Sequence, residues 1–195
     1  MMPSGFGKNT FRSVKQKCVD GFRALDPKLK ILAGVAIVWG LLIWATSGTV
    51  VTVPQLATAV TSVLPIERAQ FLAFWERSWW LFVKGWHATE FGLLYAVMHT
   101  VIRRFKIRFN PAFGLALTWA FLDEYHQTFV KFRGGQLSDV VIDAIGITVA
   151  CLLIDWRKDG KKIPPLRVIA LLALAITLIG AIALNPFGKF PTPSQ

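Results

Sequence analysis

Residues 31–48 read ILAGVAIVWGLLIWATSG, from Ile31 to Gly48, without one charged side chain. As an α-helix rising about 1.5 Å per residue, this run covers nearly the whole hydrocarbon thickness of a bilayer, roughly 30 Å. It has no polar stripe to turn toward water, which a helix on the surface of a soluble domain requires. A second apolar run, Leu166–Leu184, with Arg167 at its very start as its one charged residue, lies toward the other end of the chain. Between them stand three apolar stretches interrupted by residues that lipid would not tolerate. Trp79–Ile102 carries Lys84, His87 and Glu90; Pro111–Val130 carries Asp123, Glu124 and Gln127; Leu137–Trp156 carries Asp139 and Asp143. These three must turn their polar faces toward one another. The expected fold is all-α, a polytopic membrane helix bundle of five transmembrane helices.

Composition agrees with this reading. The chain is 54% hydrophobic and 17% charged, against about 25% charged in soluble domains, so lipid has to replace water over much of its surface. The punctuation fits as well. Asn110-Pro111 is a cap followed by a first-turn proline, Gly134-Gly135 breaks the chain before Ser138 or Asp139 can cap the next helix, and Asn185-Pro186 ends the last one. Cys18 and Cys151 lie far apart in different surroundings, which leaves neither a disulfide framework nor a four-ligand zinc site.

The net charge of +11 would ordinarily raise nucleic acid as a partner. Position decides otherwise. Seven Lys and Arg precede residue 31, four lie in 103–108 and five in 157–167, so sixteen of the 22 fall on one side of a five-span bundle. By the positive-inside rule that side is the cytoplasm, with the N-terminus inside and the C-terminus outside. The charge is topology, and no nucleic acid is expected.

The chain thus divides into a basic cytoplasmic amphipathic tail (1–30), a first span (31–48), an outer-leaflet interfacial segment (49–78) and a three-helix core with a polar pocket (79–156). A basic cytoplasmic loop (157–165), a last span (166–185) and an outer tail (186–195) follow. Phe11, Val14, Cys18, Phe22 and Leu25 recur at helical spacing among Lys and Arg, which suits a helix on the anionic inner leaflet or a solvated tail. Trp75, Trp79 and Trp80 suit an interface, with Pro54 and Pro65 breaking the outer segment into one or two short helices. No cleavable signal peptide is expected, because the first apolar run begins only at residue 31. No internal repeat is visible.

Helical rise places the intramembrane polar residues at one level, in the outer half. Lys84 and His87 fall roughly 8 to 12 Å below Trp79, and Asp123 and Glu124 rise about 18 to 20 Å above Pro111. Lys84 and His87 share a helix face, as do Asp123 and Gln127, and Asp139 and Asp143. One pocket lined by Lys84, His87, Glu90, Asp123, Glu124, Gln127, Asp139 and Asp143, with Arg133 over its mouth, brings these charges together. Two cations against five carboxylates leave it short of positive charge, so a proton, a bound cation or a charged His87 must join. The bland alternative is a set of internal ion pairs that only hold the helices together.

The string Asp123-Glu124-Tyr125-His126-Gln127, then Phe129-Val130-Lys131-Phe132-Arg133, Asp139 six positions later and Gly146 seven beyond that, resembles the VanZ-like family of small membrane proteins. Lys84-Gly-Trp-His87-Ala-Thr-Glu90-Phe91-Gly-Leu-Leu94 resembles the same family's preceding span. The likeness covers about residues 80 to 150. Phe91 stands where that family usually has tyrosine, and Lys131-Phe132 where it usually has Pro-Gly, which would make the loop stiffer or more helical. The resemblance implies a place in the cell envelope and, in the founding member, reduced susceptibility to the lipoglycopeptide teicoplanin.

Three functions are open. A membrane enzyme acting on a lipid or lipid-linked headgroup would use His87, Asp123 and Glu124 as acid and base, with Lys84, Glu90, Gln127, Arg133, Asp139 and Asp143 binding substrate. A binding protein would recognise membrane lipids, a lipid-linked envelope precursor or a lipoglycopeptide. A proton-linked carrier is a weaker third, for want of matching halves. His87, Glu90, Asp123 and Glu124 lack a metal-ligand spacing, so no metal and no other cofactor is expected. The topology is directly testable: a reporter fused after Gln195 should be active only outside the cytoplasmic membrane, and activity confined to the cytoplasm would overturn the orientation.

Overall fold

The computed structural model describes residues 26–105, 110–158 and 164–191. The amphipathic tail expected over residues 8 to 26 therefore lies outside the described residues apart from Asp26. Among the described residues there are six α-helices and no β-strand: α1 (Pro27–Ser47), α2 (Val53–Val63), α3 (Arg68–Ile102), α4 (Pro111–Gln127), α5 (Leu137–Lys158) and α6 (Pro165–Leu184). A 3-10 turn, Arg103–Phe105, closes α3.

Local chemistry sets these limits. Asp26 accepts the Lys28 amide at 2.8 Å and Pro27 occupies the first turn of α1. Thr52 and Gln55 form a reciprocal capping box on α2, whose one buried residue is Ala57. The sequence places interfacial structure over 49–78 and starts the second span at Trp79; the helix instead begins at Arg68 and runs unbroken for 35 residues. Pro65 is the last breaker before it, and Phe71, Trp75 and Phe82 stack along one side at helical spacing. At about 1.5 Å per residue α3 far outreaches a bilayer core. At the other boundary α4 stops at Gln127 rather than Val130, and residues 128–132 follow as turns.

Among the described residues three helices are long and apolar enough to cross a membrane: Pro27–Ser47, Leu137–Arg157 and Pro165–Leu184. Their outward faces are bare hydrocarbon, with Ile31, Ile37, Leu166 and Ile169 each more than half exposed. α3 and α4 lie among them; α3 carries Lys84, His87 and Glu90, α4 carries Asp123 and Glu124, and the start of α5 adds Asp139 and Asp143.

The closest approach is between α3 and α5. A Cβ on Gly146 would strike the Ala88 carbonyl, and one on Gly92 would come within 2.9 Å of the Gly146 carbonyl. Bare backbone meets bare backbone there, as in close membrane-helix crossings. Against this pair α4 presents Ala112, Ala116 and Ala120, all fully buried at four-residue spacing, next to Phe91, Leu94, Tyr95 and Ile147. One and two turns further along, the same stripe becomes Asp123, Glu124 and Gln127. α1 closes over α4 through Gly40, whose carbonyl accepts the Trp119 indole at 3.2 Å. α6 packs Gly180 under Trp80.

The chain after α6 turns back over the start of α5. Leu137 and Ser138 donate their amides to Gly188 and Phe187 at 2.8 and 3.2 Å, and Phe190 donates to Gly135 at 3.0 Å. This strap satisfies donors that a helix N-terminus leaves without partners. Gly188 has φ +66°, and a Cβ there would press on Leu137 as well.

Gly146→Ala should therefore destabilise the protein by about 1–3 kcal/mol or more, because the backbone of α3 cannot yield as a flexible side chain would. Gly34→Ala, on an open face of α1 with nothing within 4 Å, should be neutral or slightly stabilising. Thermal melting in one detergent compares them; equal melting temperatures would show that the α3–α5 contact does not set stability.

Candidate functional site

The polar cluster forms where α4 ends, and it starts from one amide. Gln127 Nε2 donates to Asp123 Oδ2 at 3.1 Å and to Glu124 Oε1 at 2.9 Å, the i−4 and i−3 positions of its own helix. Its carbonyl oxygen accepts Arg133 Nη1 at 3.1 Å, and Arg133 Nη2 donates to the Thr49 carbonyl at 2.8 Å. The backbone amide of Gln136 donates to Glu124 Oε2 at 3.0 Å. To reach it the chain lies so close that a Cβ on Gly135 would overlap the Glu124 carbonyl. Asp123, Glu124 and Gln127 are all buried.

Across from this group, Lys84 of α3 and Asp139 of α5 form an ion pair at 2.8 Å. It is the one salt bridge among the described residues. Asp143, one turn further along α5, is 1% exposed. It stands within electrostatic reach of Glu124, Asp139, Asp123 and Lys84. His87 lies within electrostatic reach of Lys84, Asp139 and Arg133, and Glu90 within reach of Asp123. The nine residues singled out from the sequence thus converge in one region. Lys84, however, is committed to Asp139, and Arg133 is bound to Gln127 and Thr49 rather than paired with Asp139.

The cluster has a closed side and an open one. A cavity of about 320 Å³ lies between α1 and α3 with Arg133 at its rim; His87 and Glu90 line it, Ile43, Thr46 and Ser47 face them, and Trp75, Phe82 and Trp86 form aromatic walls. Asp123, Glu124, Gln127, Asp139 and Asp143 sit behind it, not on its surface. Four buried polar atoms make no hydrogen bond among the described residues: His87 Nδ1, Asp123 Oδ1 and both carboxyl oxygens of Asp143. Such atoms are where a proton, a water or a ligand atom is accommodated. No three His, Cys, Asp or Glu side chains among the described residues are arranged to hold a metal ion.

Residues 32–158 match the VanZ/LLP1 family. The chain belongs to that family. No curated protein and no solved structure matches it. The matched region holds the whole cluster, whereas α6 and the strap over Gly135–Ser138 lie beyond it. Phe132, where VanZ-like proteins usually carry glycine, has φ +66°. A non-glycine residue pays about 1–2 kcal/mol there, and the strain persists because the turn delivers Arg133 to Gln127. Phe91, in place of the usual tyrosine, is fully buried in the apolar core.

Sequence reasoning missed several partners. Gln136 acts through its backbone and carries no side-chain signal, although the paired glycines before it mark a close approach. His126 packs, as its ambiguous spacing allowed: it stacks on Trp44 with centroids 4.1 Å apart, its Nδ1 3.5 Å from the Ser47 hydroxyl.

The Lys84–Asp139 pair can be tested by a double-mutant cycle. Both side chains are about one-sixth exposed, so Lys84→Met or Asp139→Leu alone should cost about 1–3 kcal/mol, less than a fully buried pair would. The double variant should recover most of that loss. Unfolding in mixed micelles measures all four corners, and additive losses would show that the two groups are not coupled.

Proposed function

We propose that this VanZ/LLP1-family chain is a multi-pass protein of the cytoplasmic membrane that binds an anionic lipid or lipid-linked headgroup at the outer leaflet. In this reading α1, α3, α4, α5 and α6 are the five spans, the N-terminus is cytoplasmic and the C-terminus outside. One observation carries the binding function: Arg133 shares a cavity with His87, and its two hydrogen bonds engage only two of its five N–H donors. A guanidinium fixed this way keeps a fork for two oxygens of a phosphate or carboxylate. The apolar walls formed by Ile43, Phe82 and Trp86 suit the neighbouring lipid chains.

Lys84, Gln127, Asp139 and Asp143 serve this reading as support. Lys84 holds Asp139, and Gln127 orients Arg133. A lipid-linked envelope precursor or a lipoglycopeptide presents the same combination of anionic head and apolar tail. The resemblance to VanZ-like proteins makes susceptibility to a teicoplanin-type lipoglycopeptide the cellular phenotype to measure. A second reading, headgroup modification, draws on the buried and unpartnered Nδ1 of His87. His87 would then transfer a proton with Asp123 and Glu124 as the carboxylates behind it.

Binding of dihexanoyl phosphatidylglycerol to the full chain in amphipol, followed by calorimetry, tests the main reading. Arg133→Gln should weaken binding about tenfold or more, the worth of a charge-assisted bidentate contact. Arg133→Lys should fall between, since it keeps the charge without the fork. Unchanged affinity in Arg133→Gln, with an unchanged melting temperature, would overturn the site.

A further inference from the structure

The cavity has two electrically different ends. His87 lies within electrostatic reach of the positive charges of Lys84 and Arg133 and of the Asp139 carboxylate paired with Lys84. Glu90, three residues further along α3 and 8% exposed, has Asp123 as its charged neighbour. Among the described residues Glu90 makes no ion pair. Trp86, Trp75 and Phe82 form the aromatic lining of the cavity that Glu90 shares. A carboxylate backed by a second carboxylate and walled by indoles is a site for a cation, which gains from both the charge and the aromatic faces.

The hydroxyls on the opposite wall point the same way. Thr46 Oγ1 donates to the Leu42 and Ile43 carbonyls at 2.8 and 3.0 Å, and Ser47 Oγ donates to the Trp44 carbonyl at 2.9 Å. With their protons committed to α1, what these hydroxyls offer the cavity is lone pairs. The donor end is Arg133 and the acceptor end is Glu90 with Thr46 and Ser47.

Building on the headgroup-binding reading, we propose that the ligand is zwitterionic: a phosphate ester carrying a cationic amine, its phosphate at Arg133 and its ammonium at Glu90 between the aromatic walls. Ethanolamine and choline headgroups share this chemistry. The acceptor hydroxyls favour a primary ammonium that can donate hydrogen bonds, and the indoles a quaternary one.

Calorimetric titration of the full chain in amphipol with dihexanoyl phosphatidylethanolamine, phosphatidylcholine and phosphatidylglycerol separates the possibilities. We expect at least one zwitterionic lipid to bind about tenfold or more tightly than phosphatidylglycerol, the tighter of the two naming the source. Glu90→Gln should erase that preference, lowering the affinity for the zwitterionic lipid to that for phosphatidylglycerol, with an unchanged melting temperature showing that the variant is folded; a preference kept in folded Glu90→Gln would overturn the placement of the ammonium. Equal affinity for all three in the wild-type chain would overturn the zwitterion inference and leave anionic binding standing. Should none of the three bind, headgroup binding itself fails, and the inference with it.

Discussion

A carboxylate placed among apolar helices has to find its hydrogen-bond donors within the protein, because lipid supplies none. Gln127 is the donor on which this structure turns. Its two amide hydrogens go to Asp123 and Glu124 and its oxygen takes Arg133, so one side chain orders the last turn of α4 and the loop that follows. The remaining oxygen of Glu124 takes the Gln136 amide, which draws the loop against α4 and makes Gly135 obligatory. No conservative replacement serves: glutamate has no amide hydrogens, and asparagine is one methylene too short to span the same three partners.

The two long runs with no charge in their interiors were the most legible part of the fold. Ile31–Gly48 and Leu166–Leu184 declared themselves because hydropathy summed over a membrane thickness outweighs local detail. The extent of α3 was not legible. Trp75, Trp79 and Trp80 mark an interface equally well whether the helix ends there or continues through it, and continuation rested on the absence of a breaker after Pro65. The end of α4 was hidden for a different reason. Val130 and Phe129 are apolar enough to extend the span, but the Arg133–Gln127 bond requires the chain to reverse before them, and that bond is a tertiary fact.

Site residues were legible as types and faces; their pairings were not. Spacings of three and four residues placed Lys84 with His87 and Asp139 with Asp143, since helix geometry alone fixes those neighbours. Whether Asp139 meets Lys84 or Arg133 depends on the register of α3 against α5. That register is set by Gly92 and Gly146 lying on facing backbone. Sequence shows that those glycines permit close approach, but not which carbonyl each one meets.

The nine polar residues then separate by access rather than by chemistry. Asp143 and Glu124 are as buried as the apolar core, whereas Glu90, His87 and Arg133 open on the cavity. A group without access cannot touch a ligand unless the helices part, so Glu90, His87 and Arg133 are the members of the set that a ligand in the cavity would meet. The buried carboxyls stand behind them, Asp123 and Glu124 held by Gln127 and Asp139 held by Lys84. The interior of the cluster and its mouth are thus parts of one framework, because the same Gln127 that holds the buried carboxyls also fixes where Arg133 stands at the cavity.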